Sequence, residues 1–516
     1  FKRDEAQALG RILCWLSENG FWVENPYKWR KQTTGDSLLT SGLEYWRSAV
    51  DFSLPEDIAD QLEKWKNDVL SHTFPDFKSV YYSLLTILGY HYFNLEDPLH
   101  LACMANIGRF SSLVRDYEIA IRLDKGKCNW KSECTNICWF INTYASRAYE
   151  EQIVEDIRQV NAVQLMTVHQ AKGLEWPIVF LPSLVKQRFP SSMAGRQREW
   201  LVPRDLFDVE RYEGSIEEEK RIFYVAITRA KDKLLLTYYK KYINAESQSE
   251  FLDILDKIPI DTVDIDTYQL DYEPQIKSIE DEIQTYTTTE IIDYMRCPHH
   301  YRLNKLWEYI QDFSPLIGYG ETLHFCLRYA AELIQNNEYS PVSAVATAVD
   351  EKFFLPFASE NLTLKTKKTA MNALMNFAKK HETDMNNIVE VESRLEFPVE
   401  NANITGKVDV IMKDENSYEI RDYKTSDVVT TEEDSTLQLR LYCMGLRKTG
   451  WNITSGSIAY LKDARTKQIS VTPNEVIDAR TTAEKVISKI SSGCFNPNPS
   501  NFCNDCEYKS ICKWRK

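Results

Sequence analysis

The chain has 516 residues, of which 43% are hydrophobic and 27% are charged, and its formal net charge is −14. This size allows roughly three or four domains of ~100–200 residues, and the composition is ordinary for a soluble globular protein. The acidic balance excludes a generally basic surface, although local basic grooves and backbone amides can still hold nucleic acid. No run of 18 apolar residues occurs, so no membrane span is predicted.

The start of the chain and its cysteines point to one cellular setting. Phe1 is followed by charged residues rather than by a secretion signal, and the absent Met suggests that residues upstream are missing from this sequence. Twelve cysteines in a chain of this length do not make a secreted disulfide scaffold. We therefore expect a cytoplasmic, reducing location, where a group of cysteines indicates metal binding first.

The first 150 residues have helical periodicity. Residues 4–16 and 58–70 both read as amphipathic helices, and no strand pair is expected in this part. The character changes after residue 160, where short apolar runs at 163–168 and 178–181 predict buried strands. Ser215 and Glu218 have the spacing of a capping box that starts a helix, and a strand at 233–239 follows.

The last part of the chain begins after an acidic linker. Residues 258–284 contain prolines and scattered aspartates, which is typical of a connecting segment. The sequence then reads as helical to about residue 380 and as strand-rich from 389 to 424.

Two long runs carry a resemblance to a known family. Residues 163–181 and 217–231 resemble motifs V and VI of the UvrD/Rep-type superfamily 1 helicases. The resemblance implies a second RecA-like lobe that works on ATP and DNA. It implies nucleotide contacts for Arg229, as the arginine finger that stabilises charge on the transferred phosphate, and for Glu175. It places two further residues near single-stranded DNA, Thr167 and His169.

The same resemblance is incomplete. The chain contains no phosphate loop of the form G-x-x-x-x-G-K-[ST] and none of the earlier helicase motifs. Because the ATP pocket of these enzymes lies between two lobes, we expect this chain to be the C-terminal portion of a longer helicase, with the first lobe upstream or in a partner. The expected divisions are 1–45 as the start of the RecA-like 2A lobe, 46–160 as a helical 2B-like insertion, 161–257 as the rest of the 2A lobe, 258–286 as a linker and 287–516 as a further α/β domain.

The further domain contains a hairpin with convergent charges. Residues 407–412 alternate as a strand, 414–417 have turn chemistry, and 418–424 form the returning strand. In a hairpin centred on that turn, Asp409 and Asp422 lie nearly opposite each other. Lys424 is two residues from Asp422, so both point to the same face. Two carboxylates and an ammonium group suit the Mg²⁺-dependent hydrolysis of a phosphodiester.

This pattern resembles the PD-(D/E)XK nucleases, with Asp409 as the first acid and Asp422-x-Lys424 as the paired motif. Gln438 and Tyr442 match the Q-x-x-x-Y helix of RecB- and AddAB-type members, and the i, i+4 spacing puts them on one helical face. The resemblance implies that His324, in a Gly-Glu-Thr-Leu-His segment, is a metal ligand beside Asp409 and Asp422 for Mg²⁺ or Mn²⁺. Glu392 is a candidate accessory acid.

Cysteines flank this domain. Cys503, Cys506 and Cys512 supply three closely spaced thiols, and Cys297 lies far upstream where the domain begins. Spacing alone leaves zinc and an iron–sulfur cluster open. AddB-type nucleases have the same layout of one cysteine before the nuclease core and three after it, and the resemblance implies a structural 4Fe-4S cluster.

The sequence as a whole predicts the C-terminal part of an ATP-dependent DNA helicase–nuclease that processes DNA ends in repair or defence. Its expected partners are DNA and a second helicase–nuclease subunit or the missing lobe, with no membrane. The alternative is a DNA-binding scaffold subunit without its own ATPase, which the absent motifs favour and the retained Asp422 and Lys424 oppose.

Overall fold

The computed structural model describes residues 3–24, 31–71, 73–119, 129–145, 163, 165–168, 171, 175–186, 188–192, 194–196, 203, 215–241, 247–253, 284–312, 314, 316–336, 339–425 and 431–516. The chain forms two compact units. One contains Phe1–Val160 together with Asp281–Lys516, and the other is Asn161–Glu280. In the part of the chain so described, no helix is both long and apolar enough to cross a bilayer.

The N-terminal part of the first unit is a helical body. Its helices are α1 (Asp4–Trp15), α2 (Asp36–Ala49), α3 (Ile58–Leu70), α4 (Phe77–Ile87), α5 (Pro98–Tyr117) and α6 (Trp130–Phe140). The amphipathic helices predicted at 4–16 and 58–70 are therefore confirmed. Their apolar faces enclose one core, in which Trp15, Trp46 and Tyr81 are fully buried.

One expectation for this body is wrong. A short antiparallel pair joins β1 (Phe21–Val23) to β2 (Gln32–Thr34), where the sequence predicts no strand pair. Three residues are too few to show a period of two, and β2 consists of polar residues without apolar alternation. The predicted division between residues 45 and 46 falls inside α2, and the set of domain boundaries stays a prediction.

The second unit contains a parallel pair of strands, β3 (Trp176–Leu181) and β4 (Ala230–Leu236), and the helix α7 (Ile216–Ile227). The predicted capping box is confirmed, because Ser215 Oγ accepts the Glu218 N–H and Glu218 Oε2 accepts the Ser215 N–H, both at 3.1 Å. The strand predicted at 163–168 is not formed by its described residues. Val163 and Leu165 are 88% and 92% exposed, so no core packs on this apolar run.

The C-terminal part of the first unit is built on a mixed sheet. Its strands are β5 (Gln284–Thr287), β6 (Ile388–Val399), β7 (Ala402–Asp414), β8 (Ser417–Lys424), β9 (Ile453–Tyr460) and β10 (Arg465–Ile469), in the order β10-β9-β8-β7-β5 with β6 also on β7. Its helices are α8 (Thr288–Arg296), α9 (Pro298–Tyr301), α10 (Tyr319–Gln335), α11 (Pro341–Lys352), α12 (Glu360–Lys380), α13 (Glu382–Asn386), α14 (Glu432–Lys448) and α15 (Pro473–Ser491). This matches the predicted helical stretch to residue 380 and the strands after it.

Helices cover both faces of this sheet. Ile420 of β8 lies in a core with residues of α8, α14 and α15, whereas Tyr423 of the same strand lies in a core with residues of α10, α11 and α12. Successive residues of a strand point to opposite faces, so β8 contributes to both cores. A residue near the end of β8 can therefore meet helices from either side.

The helical body and the sheet domain share a core. Tyr309, Ile310, Tyr508 and Ile511 pack among the buried side chains of the helical body. The Tyr309 hydroxyl donates to the Met104 carbonyl oxygen at 2.6 Å. The segments before α10 and at the C-terminus thus belong to both parts, and we expect their stabilities to be coupled.

Candidate active site

The site lies where two strands part along β7. One edge of β7 pairs with β6, and the other pairs with β5 over residues 402–405 and with β8 over residues 410–414. The predicted hairpin is confirmed, because Val410 pairs with Arg421 and the strands meet at the expected turn. This register puts Asp409 and Asp422 beside each other at the open end of the β7–β8 ladder.

Asp409 connects the hairpin to a helix on one face of the sheet. Its Oδ2 accepts the main-chain N–H of Tyr423 at 2.7 Å, which holds the carboxylate against β8. Its Oδ1 lies 2.9 Å from Nδ1 of His324 on α10. Burial lowers the pKa of His324, but the hydrogen bond and charge of Asp409 outweigh it, so the net pKa is raised.

Asp422 is a buried carboxylate with an unusual environment. Its side chain is 7% exposed, and Nζ of Lys424 forms an ion pair with Oδ2 at 2.9 Å. The geometry of this pair is not that of a directed hydrogen bond, and Oδ2 accepts none from the described part of the chain. Burial raises the pKa of Asp422 to about 6, partly offset by the charge of Lys424 and reinforced by that of Asp409.

A chain of hydrogen bonds continues from Lys424 to α14 on the other face. Lys424 Nζ donates to Gln438 Oε1 at 3.1 Å, and Gln438 Nε2 donates to the Tyr442 hydroxyl at 2.8 Å. The predicted pairing of these two helical positions is therefore observed. Thr288 Oγ1 also donates to that hydroxyl, at 3.1 Å. A Cβ at Gly406 would lie 2.3 Å from the Tyr442 ring, so glycine permits this close packing.

These donors fit a divalent cation. The PD-(D/E)XK chemistry implies such an ion, and an ion near Asp422 Oδ2 would satisfy a buried carboxylate oxygen that lacks a hydrogen bond. His324, Asp409 and Asp422 do not bring their ligand atoms all within 4.8 Å of one another in the described structure. Ligand distances of ~2.1 Å to Mg²⁺ would require these side chains to draw closer together.

Glu392 does not present a free carboxylate to this site. Arg328 Nη1 donates to its Oε2 at 2.5 Å, and Lys407 Nζ donates to its Oε1 at 2.9 Å. Burial by itself would raise the pKa of Glu392, but these two partners lower it overall. Its carboxylate is neutralised by two cations, which argues against a role as a further metal ligand.

Another compact group of ligand atoms lies on the helical body. Among the described residues, Asp51, Asp97 and His100 have ligand atoms within 4.8 Å of one another. Asp97 Oδ1 caps α5 by accepting the Leu99 N–H at 2.8 Å. His100 Nδ1 accepts the Asn94 N–H at 2.9 Å, and its Nε2 faces Asp51. Protein partners account for this group, and we assign no metal to it.

The four predicted cluster cysteines lie close to one another. All four are partly exposed, whereas Cys14, Cys103, Cys134, Cys138, Cys326 and Cys443 are buried. Burial raises the pKa of Cys506 to about 12, and the charges of Cys512 and Cys297 add to this. Burial also raises the pKa of Cys512, with contributions from Cys297 and Cys503. The thiols at both ends of the domain therefore share one electrostatic environment.

The size of this cysteine group bears on its ligand. No three of its sulfur atoms lie within 4.8 Å of one another in the described structure. Tetrahedral zinc with Zn–S bonds of ~2.3 Å needs sulfur atoms only ~3.8 Å apart. Main-chain N–H groups of Asn498 and Ser500 approach the sulfurs of Cys297 and Cys503 at 3.5 Å each. The wider spacing suits a larger inorganic core.

The second unit brings two of its predicted residues to one place. Glu175 directly precedes Trp176, whose N–H donates to the carbonyl oxygen of Arg229 at 2.9 Å. The Arg229 guanidinium donates to Val225 O at 2.9 Å and to Thr228 Oγ1 at 3.0 Å. Both predicted nucleotide residues thus lie at the same end of the β3–β4 pair. Of the predicted DNA residues, Thr167 is exposed and His169 lies outside the described residues.

Three site residues were missed from the sequence. Arg328 follows His324 by four positions, and Lys407 precedes Asp409 by two, so helical and strand periods could have indicated both. Thr288 follows directly after the capping residue Thr287, which locates the start of α8. The signal was present in each case, but only the fold shows which neighbours these side chains meet.

Comparison with known proteins identifies the classes of domain. Residues 52–241 match the model of the UvrD-like helicase C-terminal domain. Residues 285–513 match that of the PD-(D/E)XK nuclease superfamily. The chain therefore joins a UvrD-like helicase C-terminal domain to a PD-(D/E)XK nuclease domain, and the second of these carries the site described above.

Relatives with names extend this result. The chain is 40% identical over 116 residues to the probable DNA helicase II homolog of Mycoplasma capricolum, which is 21% of this chain and 14% of that protein. It is 44% identical over 78 residues to DNA helicase II of Escherichia coli, covering 15% and 9%. It is 37% identical over 92 residues to an ATP-dependent helicase/nuclease protein of Lactobacillus gasseri, covering 15% and 8%. The chain thus spans well under a fifth of the length of each of these proteins.

Proposed function

We propose that this chain is the C-terminal portion of an ATP-dependent helicase–nuclease, whose nuclease domain hydrolyses phosphodiester bonds of DNA ends with Mg²⁺ or Mn²⁺. The observation that carries the proposal is the convergence of Asp409, Asp422 and Lys424 at the open end of the hairpin. Asp409 lies beside Asp422 in the strand register, and Lys424 is 2.9 Å from Asp422. Its pathway, repair or defence, follows from the family resemblance alone.

The chain's own residues would divide the chemistry among them. His324, Asp409 and Asp422 would hold the cation, which when bound polarises the scissile phosphate and lowers the pKa of water. Lys424 has three N–H donors. One faces Asp422 and another meets Gln438, which leaves one for the phosphate or the attacking water. Gln438 and Tyr442 fix the direction in which that ammonium group points.

The test is a cleavage assay on single-stranded DNA with matched variants. We expect Mg²⁺-dependent cleavage by the chain and its loss in Asp422→Ala and Lys424→Ala. Asp463→Ala is the control, because this exposed aspartate on the β9–β10 turn pairs only with exposed Arg465 in the described structure. Equal cleavage by Asp422→Ala and the control would contradict the site, provided that circular dichroism shows both variants folded.

Arg229 and Glu175 would act in ATP hydrolysis only with a first lobe that supplies the phosphate loop, which these 516 residues do not contain. Thr167 and His169 would then face the single strand. We expect no ATPase activity from this chain alone, and robust turnover would contradict this assignment. A DNA-binding scaffold without its own ATPase is the rival reading. Metal-dependent cleavage that is lost in Asp422→Ala would decide against it.

The four cysteines would hold a 4Fe-4S cluster that joins the first and last segments of the nuclease domain. Support comes from their partial exposure and from sulfur spacing wider than that of a tetrahedral zinc site. Closing a loop of this length has a large entropic effect, so loss of one ligand is expected to loosen the domain. Protein purified without oxygen should contain about four irons per chain, and stoichiometric zinc instead would contradict the cluster.

A further inference from the structure

A cluster of opposite charges adjoins the metal-binding side chains. Glu392 bridges Arg328 and Lys407, with N···O distances of 2.5 and 2.9 Å. Glu392 and Arg328 line the same narrow cleft as His324 and Asp409. Two cations and one carboxylate give the cluster a net positive charge beside a site that otherwise gathers carboxylates.

The backbone is specially shaped at this cluster. Val408 lies in the core under α14, whereas Val410 lies in the core under α10. Residues two apart in a regular strand face the same side, so the facing of β7 reverses at Asp409. Glu392 is opposite this point on β6 and has a φ of +50°. Left-handed backbone at a non-glycine residue costs ~1 kcal/mol or more, and such residues concentrate at functional sites.

Both cations keep capacity for another ligand. Arg328 lies one helical turn after His324 on α10, and its guanidinium stacks 4.6 Å from the ring of Phe325. Its side chain is 32% exposed and that of Lys407 is 48% exposed. A guanidinium has five N–H donors and an ammonium three. Glu392 uses one of each, so a phosphate can be bound without breaking the bridge.

We propose that Arg328 and Lys407, held in place by Glu392, bind the DNA phosphate next to the one that is cut. This rests on the proposed nuclease function, in which the scissile phosphate lies at Asp409 and Asp422. The phosphates of a strand follow one another at each nucleotide, and the cluster lies directly beside the metal ligands. Arg328 and Lys407 thereby determine which bond of the strand reaches the cation. Glu392 is a positioning residue that keeps the two cations apart and directed to one side.

The test measures how DNA affinity depends on salt. Arg328→Ala, Lys407→Ala and the double variant are made in an Asp422→Asn background, so that a short single strand is bound but not cut. Each lost phosphate contact lowers the slope of log K against log salt by ~0.7 for a single strand. We therefore expect each single variant to bind roughly fivefold more weakly at ~0.1 M salt, and the double variant to lose about twice the slope.

The control is Arg480→Ala on α15, where an arginine also pairs with a glutamate, Glu484, at 2.7 Å, away from the cleft. Its slope should equal that of the parent. If the cluster only fastens α10 to the sheet, Arg328→Ala will unfold at a lower temperature with an unchanged slope, which would overturn the inference. Lys407→Ala decides the matter if Arg328→Ala does not fold, because Lys407 is half exposed. Absence of cleavage by the wild type would overturn the nuclease proposal instead, so the two failures are distinguishable.

Discussion

Replacing Asp422 by Asn should remove activity and yet raise the stability of the metal-free protein. Burial raises the pKa of this carboxyl group from 3.8 to about 6. At ~1.4 kcal/mol per pKa unit, the buried charge costs about 3 kcal/mol at neutral pH. The variant loses this cost, but Lys424 then lacks its ion pair, which returns ~1–2 kcal/mol. The expected net gain is ~1–2 kcal/mol, or a few degrees in Tm.

The pH dependence of this gain follows from the direction of the pKa change. Between pH 3.8 and about 6, the folded wild type binds more protons at Asp422 than the unfolded chain does. Its stability therefore falls as pH rises through this window, and the variant has no such group. Thermal unfolding in EDTA should show a difference near zero at pH 4 that grows to its full size by pH 7. A variant less stable than wild type at pH 7, or a difference independent of pH, would refute the reasoning.

Three further changes test other parts of the structure. Glu475→Gln should have the opposite sign, because hydrogen bonds at the start of α15 lower the pKa of Glu475 to about 2; the variant should melt earlier at pH 7, and the gap should close as pH falls toward that value. Gly406→Ala should displace Tyr442, destabilise by ~1–3 kcal/mol and reduce cleavage, whereas Gly456→Ala, whose new Cβ would have contacts of 3.6 Å or more, should be tolerated. Tyr508→Ala should cost ~3–5 kcal/mol and let limited proteolysis separate the helical body from the nuclease domain, since Tyr508 is fully buried in their common core.

The parts of the site that the sequence predicts depend on short-range periods. A turn at 414–417 and a period of two are enough to place Asp409 opposite Asp422. A spacing of four is enough to put Gln438 and Tyr442 on one face of α14. These arrangements are local in the chain, so no knowledge of distant packing is required.

Other features depend on contacts between segments that are far apart. The reversal of facing at Asp409 requires the unusual backbone of Glu392 on the neighbouring strand, and no local pattern indicates a left-handed glutamate. The packing of Tyr508 in the core of the helical body joins residues hundreds of positions apart. The apolar run at 163–168 suggests a strand by composition, but burial decides that outcome, and Leu165 is 92% exposed.

The most direct test of the central claim is to locate a bound divalent ion. Crystals soaked with Mn²⁺ would show its position by anomalous scattering. The account predicts a peak within ~2.0–2.4 Å of ligand atoms from His324, Asp409 and Asp422, and its loss in Asp422→Asn. A strong peak elsewhere, with these three side chains left unliganded at saturating Mn²⁺, would contradict it.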